Sequence, residues 1–358
     1  MSNNNDRSAA NPAPTAPITV PSGLDNVIVA TTHISEVDGA AGRLSYRGVP
    51  ITEVAERFPT WTALVPWLVT GHPSAEPKGP ATPATPEIPA MSDAMARLAM
   101  LVLAAGDGAA LDTPRDGAAF VQTLPAQYAA LVRPDAPAPP HDAAHAFLAA
   151  MTGHPPTPAG VAALNAYWVL AAEHSLNAST FAVRVAASTG ARLPEALAAG
   201  IATLSGSLHG GAPTGVLSQL AVLEGEADLE AAIFRLVERG ERLMGFGHRV
   251  YRTEDPRASR LRAVLHTLAD PGSTAHAARV EQAALAVLVR WKPTRPLAVN
   301  VEFYAALVLS ALGLSAPDCP VTFACARLAG WTAHYWEQRD TGRLIRPLAR
   351  YAPTPRAR

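Results

Sequence analysis

Residues 244–257 read Met244-Gly245-Phe246-Gly247-His248-Arg249-Val250-Tyr251-Arg252-Thr253-Glu254-Asp255-Pro256-Arg257. Glycines flank the histidine closely, so another molecule can approach His248 without meeting neighbouring side chains. Arg252 and Arg257 follow at short range, and guanidinium groups suit anionic partners. Asp255 and Pro256 mark a helix start, with proline at the first helical position. A lone histidine between glycines is a weak signal. The two arginines close behind it add groups ready for an anionic partner.

The rest of the 358-residue chain limits what that site can serve. Hydrophobic residues make up 49% and charged ones only 16%, which calls for a large buried interior, an oligomer interface, or both. The net charge of −1 gives no global field for nucleic acid or a membrane surface, so anions must be held by local arginines. Cys319 and Cys325 build no disulfide framework and match no common zinc spacing. A reducing cytoplasm is the expected compartment. No run of eighteen apolar residues occurs; the best stretch, Ala94 to Ala105, is short and broken by Arg97. Residues 1–22, rich in Asn, Pro and Ala, read as a disordered tail and not as a signal peptide.

Proline clusters at 73–89 and 134–140 read as surface connections. A small hairpin is expected from Val27-Ile28-Val29 and Arg43-Leu44-Ser45-Tyr46, with its turn at Asp38-Gly39-Ala40-Ala41-Gly42. Ala/Leu-rich segments at about 93–105, 159–189, 193–204, 227–243, 274–291, 300–312 and 320–338 have the apolar spacing of helices. Carboxylates at Asp228 and Glu230 suit a helix start. No repeat is evident, and the reading is an all-α chain with one minor hairpin. His141 and His145 have the four-residue spacing of a helical zinc site, but their Pro/Ala-rich context argues against a metal there.

Four more segments carry chemically capable residues. They are Glu173-His174-Ser175-Leu176-Asn177-Ala178-Ser179-Thr180, Gly206-Ser207-Leu208-His209-Gly210-Gly211-Ala212, Asn300-Val301-Glu302-Phe303-Tyr304, and Ala326-Arg327 through His334, followed by Ile345-Arg346-Pro347. Together with the opening run, which fits Gly-aromatic-Gly-His-x-Val-x-Arg-x-x-Asp-Pro-Arg, the chain resembles the citrate synthase family. The blocks stand in the family's order. Gly42 to Gly48 extends the likeness, which runs from about residue 23 to the C-terminus and is weakest across 73–158.

The resemblance implies an all-α fold of two helical domains, the large one 23–208 with 309–358 and the small one 209–308, with the active-site cleft between them. It implies condensation of acetyl-CoA with oxaloacetate and water to citrate and CoA, an acyl transfer of the Si type. Removing a weakly acidic methyl proton needs a base and simultaneous stabilisation of the enolate. By resemblance Glu302 is that base, His209 donates to the thioester oxygen, and His248 acts on the ketone of oxaloacetate. Arg257, Arg327 and Arg346 bind its carboxylates, the last reaching from the second subunit of a homodimer. His174 and Asn177 lie in the block that adds further substrate contacts. Arg252 aligns with a CoA-phosphate contact, and Gly245, Phe246 and Gly247 with backbone near CoA. No resident cofactor or metal is implied.

The chain departs from the family pattern at two positions. Glu302 stands where the usual base is aspartate, and Ser175 stands where glutamate often follows the histidine. Glu302 matches a shorter bacterial branch often labelled a second citrate synthase. One extra methylene displaces the carboxylate by about a bond length, and a shift of about 1 Å can cost ~10²-fold in rate. The change touches geometry more than basicity, since ordinary pKa values are about 3.9 for Asp and about 4.3 for Glu. Two other expectations stand beside citrate formation: a 2-methylcitrate synthase using propionyl-CoA, and a non-catalytic dimeric relative. A metal hydrolase built on clustered histidines is the expectation from another class.

Overall fold

Helix formation here follows capping as much as composition. Thr60, Asp93, Thr113, Asp142, Thr157, Asn177, Asp228, Asp255, Asp270 and Asn300 each accept a backbone N–H from the first turn of the helix they open. A computed structural model describes residues 19–24, 26–73, 83–134, 142–248, 250–294 and 297–351. Most of the expected 1–22 tail, the greater part of both proline clusters and His141 lie outside the described residues.

Two units are distinguished. One comprises Met1–Thr31 with Ile345–Arg358. It holds a single turn at Ser22–Leu24 and a bond from Arg350 to Thr19 Oγ1 at 3.2 Å. The other, Thr32–Leu344, carries all the remaining elements.

That larger unit opens with strands β1 (Ser35–Asp38), β2 (Arg43–Tyr46) and β3 (Val49–Pro50) in one antiparallel sheet. Helices follow: α1 Ile51–Arg57, α2 Trp61–Thr70, α3 Ala94–Ala105, α4 Pro114–Val132, α5 Ala143–Thr152, α6 Pro158–Ala171 and α7 Ala178–Ser188. Then come α8 Leu193–Leu204, α9 Ala212–Leu223, α10 Leu229–Glu238, α11 Pro256–Leu268, α12 Pro271–Trp291, α13 Val301–Ala311 and α14 Cys319–Thr341. The mainly α reading with one small hairpin is what the chain adopts.

Helix α14 is the axis of the core. It packs on α2, α4, α6, α7 and α8, and polar residues on it, including Arg327, Thr332, His334 and Gln338, are buried with the apolar ones. Buried polar groups need partners, so this helix is where side-chain networks must form. Cys319 and Cys325 are buried free thiols. Among the described residues, no single helix is long and apolar enough to cross a membrane.

The structure corrects three sequence readings. The first strand is Ser35–Asp38 and not Val27–Val29. The turn is tight, Asp38 opposes Arg43, and counting back places Ser35 opposite Tyr46. Asp38 accepts the Ala41 N–H at 3.0 Å and an Arg43 N–H at 2.6 Å, which fixes that register. Ile28 is 91% exposed. The helix expected over 159–189 breaks between Ala171 and Ala178, where Ser175 adopts φ 52° and Asn177 caps a new start. The segment expected over 227–243 ends at Glu238, ahead of Gly240 at φ 80°. Helices α1, α2, α4, α5 and α9 were not anticipated. Pro66 and Pro125 lie inside α2 and α4, and proline normally speaks against a helix interior.

Candidate active site

The opening run is joined by backbone pairing to the segment that leads into α13. Gly247 N–H donates to the Ala298 carbonyl at 2.7 Å, and Asn300 N–H to the Gly245 carbonyl at 3.0 Å. Phe246 and Val299 form an antiparallel bridge, and Asn300 Nδ2 adds a bond to the Gly247 carbonyl at 2.8 Å. Glycine is required at 245: φ is 82°, and a Cβ there would lie 2.8 Å from that of Phe303. The Phe246 ring packs on Phe303 at 5.3 Å, so its side chain belongs to the core. This pairing brings His248 and Glu302, distant in sequence, onto adjoining backbone.

His248 is held in one tautomer. Its Nδ1 accepts the N–H groups of Val250 (3.0 Å) and Tyr251 (3.1 Å). A ring nitrogen accepting amide protons carries none, so the neutral ring has its proton on Nε2. Burial, and then the positive charge of Arg257, lower its pKa to about 4. Near neutral pH His248 is therefore an uncharged Nε2–H donor.

His209 repeats the logic with the nitrogens exchanged. Its Nε2 accepts the Ser179 N–H at 3.3 Å and lies 2.8 Å from Ser179 Oγ. The proton is left on Nδ1. Burial, then Arg327, lower the pKa to about 4. The site thus has two neutral imidazole donors.

Glu302 sits in the first turn of α13, its N–H held by Asn300 Oδ1 at 3.0 Å. Its carboxylate makes no hydrogen bond among the described residues. Burial raises its pKa to about 7; Arg257 pulls the other way, and Asp255 adds to the rise. A carboxylate poised near neutrality is a competent general base.

Two buried arginines adjoin it. Arg257 is 3% exposed and pairs with Asp255 through Nε (3.0 Å) and Nη2 (2.8 Å). Burial opposes its charge, but the Asp255 carboxylate prevails and holds its pKa above the ordinary value. Asp255 also accepts the Val301 N–H at 3.3 Å, which ties the start of α11 to that of α13. Arg327 differs. It is 3% exposed, its guanidinium lies over the Phe323 ring at 4.8 Å, and its Nε and Nη1 have no hydrogen-bond partner among the described residues. A buried guanidinium with unmet donors suits a carboxylate ligand.

His174 stands in the α6–α7 break. Its Nε2 lies 3.1 Å from the Tyr251 hydroxyl, and its ring is 5.3 Å from that of His248. Burial, then Arg257 and His248, push its pKa well below the usual imidazole value. Asn177 Oδ1 is taken up by the Thr180 N–H (3.1 Å) and lies 2.8 Å from the Ser179 hydroxyl, so it serves first as a helix cap. Arg252 is exposed and donates its backbone N–H to the Gly39 carbonyl at 2.8 Å. Arg346 is an exposed residue of the smaller unit.

His174, His209, His248 and Glu302 are therefore each within the electrostatic reach of Arg257, Arg327 or both. Asp255, Tyr251 and Ser179 also belong here. Each lay within a quoted run, Asp255 as a helix start and Ser179 in the 173–180 segment, but none was assigned a part in the chemistry. Behind His174, Glu173 Oε1 accepts from Ser35 Oγ (2.8 Å) and from His334 Nε2 (3.0 Å). His334 Nδ1 in turn accepts from Arg184 at 3.0 Å. Gly330 lets α14 approach: a Cβ there would lie 2.3 Å from Glu173 Oε2.

The chain is similar to known proteins over most of its length. Residues 23–348 match the family described as "Citrate synthase, C-terminal domain". A Mycobacterium tuberculosis protein named "Putative citrate synthase 2" is 41% identical over 359 residues, covering 94% of each chain. A 2-methylcitrate synthase from Shewanella oneidensis is 35% identical over 205 residues, covering 57% of this chain and 54% of the relative. The Thermoplasma acidophilum citrate synthase, solved as a ternary complex with carboxymethyl coenzyme A and oxaloacetate, superposes with a TM-score of 0.78 at 26% identity. That match covers 94% of this chain and 97% of the other.

Proposed function

The chain belongs to the citrate synthase family, and from that premise we propose that it condenses acetyl-CoA with oxaloacetate and water to give citrate and CoA. The observation that carries the reading is a pair of neutral histidines, His248 accepting backbone amides at Nδ1 and His209 at Nε2, linked through Arg257 and Arg327 to a carboxylate with a pKa of about 7. Enolisation of a thioester needs a base and a donor acting together, and addition to a ketone needs a second donor.

Glu302 takes a proton from the methyl group of acetyl-CoA, and His209 Nδ1–H stabilises the charge that develops on the thioester oxygen. The enol carbon then forms its bond to the ketone carbon of oxaloacetate, whose oxygen is hydrogen-bonded by His248 Nε2–H; the proton taken up by Glu302 returns to the new hydroxyl, leaving His248 neutral. Arg257 and Arg327 hold the dicarboxylate, with Arg346 reaching in from a second subunit. His174 and Asn177 supply further contacts, and Arg252 meets a CoA phosphate. Water cleaves the citryl thioester, releasing CoA as a thiol. The proposal includes a large domain (23–208 with 309–358) and a small one (209–308) that close on oxaloacetate and exclude water.

Glutamate as the base is supported by its setting. Asn300 fixes the start of α13, and Asp255 holds the Val301 amide. The backbone leading into the carboxylate is thus anchored at two successive amides.

Thiol release from acetyl-CoA and oxaloacetate tests the reading. Release that depends on both substrates supports it; a folded chain that binds oxaloacetate and releases none is a non-catalytic relative. A higher kcat/KM for propionyl-CoA reassigns the product to 2-methylcitrate. One methyl group changes the preference by only about 1–3 kcal/mol, so the two thioesters are compared side by side.

A further inference from the structure

His174 sits where the chain is neither α6 nor α7, and its neighbour Ser175 is left-handed at φ 52°. A non-glycine residue in that region persists only when its surroundings over-determine it. The surroundings come from the hairpin. Ser35 on β1 and Tyr46 on β2 are direct register partners. The Ser35 hydroxyl donates to Glu173 Oε1 (2.8 Å) and accepts the Ser175 N–H (3.0 Å). The Tyr46 hydroxyl donates to the Glu173 carbonyl (2.8 Å), with the Leu170 carbonyl at 3.0 Å, and accepts the Glu173 N–H at 3.2 Å. One cross-strand pair therefore grips the residues on both sides of His174.

The turn of the same hairpin meets the His248 segment. Gly39 accepts the Arg252 N–H at 2.8 Å, and a Cβ at 39 would lie 2.2 Å from the Val250 carbonyl oxygen. A Cβ at Gly42 would lie 2.3 Å from Thr253 Oγ1. His174 and His248 come together through Tyr251, whose hydroxyl meets His174 and whose ring lies 4.6 Å from that of His248. The hairpin base thus holds one histidine segment and its tip holds the other.

We infer that Ser35, paired across the hairpin with Tyr46, is a positioning residue that sets His174 for oxaloacetate. This supplies the support that Ser175 does not give through its own side chain, and it rests on the proposed citrate-forming reaction. Ser35 touches no reacting atom; it acts through the backbone at 173–175.

The test is calorimetric binding of oxaloacetate and steady-state thiol release by the full chain carrying Ser35→Ala or Ser35→Thr, beside the unaltered protein. Ser35→Ala is expected to weaken oxaloacetate binding and raise its KM by about 10-fold, the size of one hydrogen bond, with the acetyl-CoA KM changed by less than about 2-fold. Ser35→Thr, which keeps the hydroxyl on a strand-compatible side chain, is expected to recover most of the loss. Tyr46→Phe carries the same prediction and decides the matter if Ser35→Ala yields no folded protein. Unchanged oxaloacetate binding and KM, or a change confined to thermal stability, overturns the inference. An unaltered protein that binds no oxaloacetate overturns the reaction reading itself, and the inference with it.

Discussion

Asp255 and Arg257 face each other through both arms of a buried ion pair, Nε to Oδ1 at 3.0 Å and Nη2 to Oδ2 at 2.8 Å. The same carboxylate caps α11 and receives the Val301 N–H, one residue before Glu302. Removing it leaves a buried guanidinium uncompensated. Asp255→Ala is expected to lower stability by about 3–5 kcal/mol in urea unfolding, since breaking a buried pair costs more than the pair contributes. A loss under about 1 kcal/mol, the scale of exposed pairs, would mean water reaches Arg257.

Glu302→Gln keeps the shape of the base and removes its proton affinity. Turnover is expected to fall about 10²–10⁴-fold while oxaloacetate binding by calorimetry survives. Near-normal turnover would assign the proton abstraction elsewhere. Glu302→Asp retains the chemistry and shortens the reach; a drop of about 10²-fold would show that the backbone here is built for the longer side chain.

The pH dependence follows from opposite shifts. Burial first of all raises Glu302 to about 7 and lowers His209 and His248 to about 4. The base works when deprotonated, so kcat/KM should rise with pH and level off above about 7, falling about tenfold per unit below it. The histidines stay neutral donors over that whole range. A profile with its acid limb at the ordinary carboxylate pKa would contradict the burial of Glu302.

Arg327 has unmet donors in the core, whereas Arg257 has Asp255. Arg327→Met should therefore stabilise the unliganded protein by about 1–3 kcal/mol in thermal or urea unfolding, because it removes an unsatisfied buried group. The same change should abolish oxaloacetate binding. Loss of both stability and binding would show that Arg327 is a structural charge.

Arg346 tests the assembly. Arg346→Ala and Glu302→Gln chains should each be nearly inactive, and mixing them should restore thiol release if Arg346 serves the neighbouring subunit. Verified mixed dimers without recovery would place its role within its own chain.

Much of the site was legible because its residues carry chemistry in short runs. Gly245, Gly247, His248, Asp255 and Arg257 lie within fourteen residues, and the capping of Asp255 and Pro256 is local. The hairpin turn was legible for the same reason. Asp38 and Gly42 specify it, although the first strand was misplaced because register depends on counting back from that turn. The helix break at His174 was not legible. It depends on Ser35, Tyr46 and His334, which come from distant parts of the chain.

By itself the sequence determined the family and the all-α class, and it marked the residue types proposed to meet the substrates, since these follow from local spacing and side-chain chemistry. Only the tertiary structure decided how those residues are poised. The tautomers of His209 and His248 follow from backbone amides that reach one ring nitrogen and not the other. The pKa of Glu302 follows from burial, and the two arginines differ because Arg257 is hydrogen-bonded to a carboxylate whereas Arg327 Nε and Nη1 meet no partner among the described residues. Burial and hydrogen-bond geometry belong to the packed chain, and no single stretch of residues contains them.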